Sequence, residues 1–161
     1  MSKLTLLEIF VRGVPEAFLF VVAVYAFSKK AIDVKRYLLS CVVLSITGYV
    51  IRLLPIHYGA NIMLNLILFI VVTVNLNKID IIKAIQANIT AMILEFICEG
   101  INVMIIQFVF NANIKYIFND PTMKIVYGIP SLLIFGCIVS LYYFILWKRK
   151  ELKDVSYGEI E

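Results

Sequence analysis

Residues 84–110 read AIQANITAMILEFICEGINVMIIQFVF. These 27 residues carry only two charged side chains, Glu95 and Glu99. A bilayer hydrocarbon core takes about 20 residues of helix to cross, so the stretch is long enough to span one. It lacks the polar–apolar alternation of a barrel strand, and an open strand would leave backbone groups unpaired in lipid. The stretch therefore predicts a membrane-spanning helix. At roughly 100° per residue, Asn88, Glu95, Glu99 and Asn102 fall within an arc of about 60°. One stripe of this helix must face protein or water rather than lipid.

Working outward, four more apolar runs lie at Leu4–Phe27, Tyr37–Leu54, Ile56–Val74 and Ile125–Trp147. The chain has 161 residues, is 62% hydrophobic and has a mean hydropathy of +0.95. A soluble domain of this size cannot bury so large a share of its residues. The expected fold is all-α: a polytopic membrane protein with five transmembrane helices in one bundle over residues 1–147. Residues 148–161 are left as a short basic tail. The first run ends in Ser28-Lys29-Lys30 with no small-residue cleavage site, so it is expected to stay as a span rather than be removed as a signal peptide.

The basic residues set the orientation. The segments after the first, third and fifth runs hold ten Lys and Arg, whereas the opposite side holds only Lys3, Lys115 and Lys124. Such asymmetry on short loops predicts an amino terminus outside and a cytoplasmic carboxyl terminus, in a cell membrane. It also accounts for the net charge of +4 without a nucleic-acid partner. Cys41, Cys98 and Cys137 all fall within apolar runs, with no spacing that suggests a metal. Buried cysteine of this kind is usually a small apolar residue.

Pro55 to Asn61 reads as a tight outer hairpin, with the lone His57 in it. Asn119-Asp120-Pro121 reads as a turn in the longest outer segment. Tyr142, Tyr143 and Trp147 suit an interfacial belt. Ala87/Ala91 and Gly136/Ser140 suit close helix packing.

Ionisable groups inside the apolar region carry the functional signal, because each costs at least ~2.5–3.5 kcal/mol near a helix centre. Glu8, Arg12 and Glu16 recur at four-residue spacing along one face of the first run. Arg52 lies near the outer end of the second, and Glu95 and Glu99 lie on the fourth. Counting depth at 1.5 Å per residue puts Arg12 about 12 Å and Glu99 about 16 Å below the same surface. The two are therefore expected to meet, in a packing of spans one, two and four. Four carboxylates against two guanidinium groups leave a negative surplus that needs a proton, a cation or an amine. Three readings follow: a polar network that holds the bundle together, a ligand or ion site, or side chains that reach the headgroups. Gly13 and Pro15 in the first run mark the place for a kink.

No HExxH, nucleophile elbow or phosphate-cradling glycine loop is present, so no enzymatic role or cofactor is expected. Glu8-Ile-Phe-Val-Arg-Gly-Val-Pro-Glu16, followed by Ile51-Arg52-Leu-Leu-Pro55-Ile-His-Tyr-Gly59, resembles the membrane sensor region of GHKL-type histidine kinases of Gram-positive anaerobes, as in peptide quorum-sensing receptors. The resemblance implies a signal-receiving bundle with Glu8, Arg12, Glu16 and Arg52 in its sensing or packing core. The sequence stops where the kinase would begin, so a partner such as a kinase is expected to act in trans on a small or peptide signal. The alternative is a transporter subunit, similar in size to the substrate-binding subunits of energy-coupling-factor vitamin transporters. Their Ala-x-x-x-Ala pairing in span one is missing, since Ala17, Ala23 and Ala26 have the wrong spacing.

Overall fold

In the computed structural model, residues 9–54, 58–108 and 121–152 are described. Among them are a π-helical turn, Ile9–Gly13, and five α-helices: α1 (Val14–Phe27), α2 (Val34–Leu53), α3 (Tyr58–Asn75), α4 (Ile81–Phe108) and α5 (Pro121–Lys148). Four apolar segments are long enough to cross a membrane: Phe10–Phe27, Val34–Ile51, Ile81–Phe108 and Ile125–Lys148. The apolar part of α3, Gly59–Asn75, is shorter. The chain is a helical, multi-pass membrane protein. Its outward surface agrees, because Val42, Ile46 and Val50 on α2, and Leu141, Phe144 and Trp147 on α5, are exposed. Solvent-exposed apolar patches of that extent are rare on soluble monomers.

The helix α1 is the hub. Ala17, Phe20, Val21, Ala23, Val24, Tyr25 and Ala26 are all buried on it. It packs against α2, α4 and α5, while α3 sits between α2 and α4 and α5 lies beside α4. Small residues permit the close approach. Ala84, Ala87 and Ala91 form a buried stripe on α4, in one cluster with Phe20, Ala23 and Val24 of α1. On α5, a Cβ at Gly136 would stand 3.1 Å from Leu19, so glycine sets the α1–α5 spacing. Ser140, its expected companion, is exposed instead.

Two boundaries differ from the sequence reading. The outer hairpin expected at residues 55–61 is helical from Tyr58 onward, and Asn65 donates back to the Asn61 carbonyl at 3.0 Å within that helix. The helix α5 begins at Pro121, ahead of the expected Ile125, which suits proline because the first helical N–H has no intrahelical acceptor; Asn119 and Asp120 of the expected turn lie outside the described residues. The Gly13–Pro15 kink takes the form of the π turn: Gly13 keeps right-handed helical angles (φ −65°, ψ −39°), and Pro15 falls in the first turn of α1.

The C-termini of α1, α3 and α5 share one end of the bundle. Lys29 reaches Glu151 at 2.9 Å, and the Lys30 ammonium donates to the Asn77 carbonyl at 3.2 Å and to that of Lys78. Each of these ends closes on a lysine in the left-handed region, Lys29 (φ 53°), Lys78 (φ 51°) and Lys150 (φ 53°). After each of them the chain folds back onto the helix, with Lys30 N–H donating to Tyr25 O at 3.0 Å, Ile79 N–H to Thr73 O at 3.4 Å and Glu151 N–H to Leu146 O at 3.1 Å. Glycine is the usual residue there. Lysine brings a positive charge to the negative end of the helix dipole, which offsets part of the backbone cost.

Candidate functional site

Arg12 stands at the junction of the π turn and α1, roughly 22 Å along the helix from Phe27. Its Nη2 donates to Glu99 Oε1 of α4, and its Nε lies 3.9 Å from Glu16 Oε2 one turn further along. The guanidinium lies against α5 at Gly128, where a Cβ would come within 2.9 Å of Nη1 and 3.2 Å of Cζ, so a side chain there would have to displace the arginine head. Glu95 sits one turn from Glu99 on α4 and lines the same cleft as Arg12 and Glu16. Three carboxylates around one guanidinium leave a formal surplus of negative charge.

The cleft between these side chains is lined by Arg12, Glu16, Glu95 and Glu99, with Ser131 and Phe135 of α5. Its volume is about 10 Å³, near the ~10–15 Å³ that one water needs. It has room for a water or a proton. A larger ligand requires α1, α4 and α5 to part. Among the described residues no group of three His, Cys, Asp or Glu is arranged to hold a metal.

The polar stripe of α4 faces protein along its length, but its members take separate partners. Asn88 Nδ2 donates to Thr73 Oγ1 of α3 at 3.1 Å and to Ala84 O at 2.7 Å. Asn102 Nδ2 donates to the Tyr127 carbonyl of α5 at 2.6 Å. Arg52 lies in α2, with its side chain outside the described residues, as are Glu8 and His57.

The expected packing of spans one, two and four needs a correction. The helix α2 flanks α1 but not α4, and α5 fills the third side of the cleft. Span five carries no Asp, Glu, Lys, Arg or His between Lys124 and Lys148, so nothing in its charge pattern points there.

A second polar cluster escaped sequence reasoning. Asn77, 1% exposed, accepts from Tyr25 Oη at 3.0 Å and Ser40 Oγ at 2.7 Å through its Oδ1, and its carbonyl takes Lys30. A tyrosine buried at the end of span one requires an acceptor for its hydroxyl, and that was the available signal.

No known protein family, curated protein or solved structure matches this chain.

Proposed function

We propose that the protein is a non-enzymatic membrane sensor or regulatory subunit of the plasma membrane. It spans the bilayer five times with its amino terminus outside, and α3 is its shortest span. A small or peptide signal acts from the outer side on the cluster of Arg12, Glu16, Glu95 and Glu99. Rearrangement of α1 against α4 and α5 then passes inward to a cytoplasmic or membrane partner. The kinase-sensor resemblance of the Glu8–Glu16 stretch supports a signalling partner over a metabolic one.

One contrast carries the proposal. The charged cluster lies toward one end of the bundle, and the Lys-rich end is filled by the Tyr25–Asn77–Ser40 cluster. A solute path would need both ends to open, whereas a sensor needs only two arrangements of the cluster with different affinity for the signal. The π turn before α1 is a feature often found at functional sites, and it stands where such a shift would be absorbed.

Photo-crosslinking from position 150 in native membranes tests the partner, and recovery of a signalling kinase or its regulator is expected. Recovery of transporter ATPase subunits, or solute uptake with no partner, would replace this reading with transport. Orientation is tested in a Cys-free background. A cysteine at position 119 is expected to react with impermeant thiol reagents in intact cells, and one at position 150 is not.

A further inference from the structure

We infer that Lys30, Arg36 and Lys83 form a binding site for a phosphate oxyanion at the Lys-rich end of the bundle, where lipid headgroup phosphates lie. The inference goes beyond the proposed signal site and does not depend on it.

The three cations come from three elements. Lys30 follows the C-terminus of α1, Arg36 is in the first turn of α2, and Lys83 is in the first turn of α4. Lys30 is held beside the start of α4, its ammonium donating to the carbonyls of Asn77 and Lys78. Burial pulls Lys30 below the usual lysine range, and the charges of Arg36 and then Lys83 push it the same way.

The acid beside the cluster is already engaged. Asp33 caps α2 by accepting from Lys35 N–H at 3.1 Å, and its other oxygen lies 3.4 Å from Arg36 Nε. That leaves Arg36 Nη1, a charged donor that is buried and has no hydrogen-bond partner. Buried donors are almost always paired. Crowded like charges with an orphaned guanidinium N–H fit a tetrahedral oxyanion, which accepts from several donors at once. A phosphodiester headgroup and free phosphate share this chemistry, and membrane depth favours the headgroup.

Thermal unfolding of the full chain in an uncharged detergent tests the site, with phosphatidylglycerol, diacylglycerol or inorganic phosphate added at constant ionic strength. The readout is the concentration that gives half the stabilisation, so a variant that is merely less stable does not mimic loss of binding. Phosphatidylglycerol is expected to raise the unfolding temperature, and diacylglycerol is not. Arg36→Gln and Lys83→Gln should each need about ten-fold more lipid, the loss of one charge-assisted hydrogen bond. Lys35→Gln and Lys148→Gln should titrate as wild type. Should Arg36→Gln fail to fold, the exposed Lys83 carries the test. The same variant-sensitive shift with inorganic phosphate supports the oxyanion site with a soluble source. Absence of a shift with either anion, or equal weakening by all four variants, overturns it.

Discussion

At the Lys-rich end of the bundle, Asn77 draws Tyr25 and Ser40 together through one carbonyl oxygen, and the core of that cluster encloses no charge. Near the other end, Arg12 faces Glu16 and Glu99 across three helices, with Glu95 alongside. Both clusters join α1 to its neighbours, yet they differ in what happens when a member is lost. A neutral hydrogen-bonded cluster loses a bond, whereas an ionic one leaves a charge without its counter-charge in a medium that solvates it poorly. The first behaves as a rivet. The second is responsive, because a proton, a cation or a signal that changes its charge changes the force between α1, α4 and α5.

The largest expected effect follows from that difference. Arg12→Ala removes the only described cation among three carboxylates and should destabilise the protein by about 3–5 kcal/mol. Combining it with Glu99→Ala should restore part of the loss, giving a clear coupling energy in a double-mutant cycle of unfolding in detergent. Strict additivity of the two changes would mean that the ionic contact contributes nothing, and the contrast between the two ends would fail.

The matching test at the other end is Asn77→Leu, which strands the hydroxyls of Tyr25 and Ser40. Hydrogen bonds between membrane helices average ~0.6 and reach ~1.7 kcal/mol in double-mutant cycles, so a loss of about 1–2 kcal/mol is expected. Tyr25→Phe and Ser40→Ala, added to Asn77→Leu, should recover most of it, because removing all partners leaves nothing unsatisfied. If the triple variant is worse than Asn77→Leu alone, the cluster acts through packing rather than hydrogen bonding.

These two ends were not equally legible in the sequence. Charges inside an apolar run are costly wherever they fall, so Arg12, Glu95 and Glu99 identified themselves, and rise per residue placed Arg12 and Glu99 at one depth. Asn77 lies between Asn75 and Lys78, where asparagine is ordinary turn chemistry. Its burial depends on how α1 and α3 end beside each other, which no local pattern encodes. Partner choice was hidden for the same reason. Depth says which groups share a layer of the membrane but not which helices are adjacent, so α2 was assigned the place that α5 occupies. Gly128 gave no sign either, since a glycine that accommodates an arginine from another helix looks like any small residue.

Gly128→Ala sharpens that point with a smaller effect. The new methyl would press on the Arg12 guanidinium, the movable end of a flexible side chain, so the cost should sit at the low end of the overpacking range, about 1 kcal/mol. It should vanish in an Arg12→Ala background, because the three atoms nearest the new methyl all belong to Arg12. A cost that persists without Arg12 would show that Gly128 serves the α5 backbone instead.

The smallest effect is at the exposed rim of the Lys-rich end, where Lys29 and Glu151 tie the ends of α1 and α5 together. The hydrogen bond between them, reinforced by their charges, holds the Glu151 carboxyl below and the Lys29 ammonium above its ordinary value. A depressed carboxyl contributes stability above its unfolded pKa, and that contribution is lost as pH falls through the folded value. A raised ammonium contributes below its unfolded pKa and stops contributing as pH rises through the folded value. The difference in unfolding temperature between wild type and Glu151→Gln should therefore form a plateau between the ordinary values of 4.5 and 10.5. It should close toward zero beyond each edge, and it should shrink with added salt because both groups are in solvent. A difference that ignores both salt and pH would mean that Glu151 acts by ending α5, where its N–H already bonds Leu146, and not by its charge.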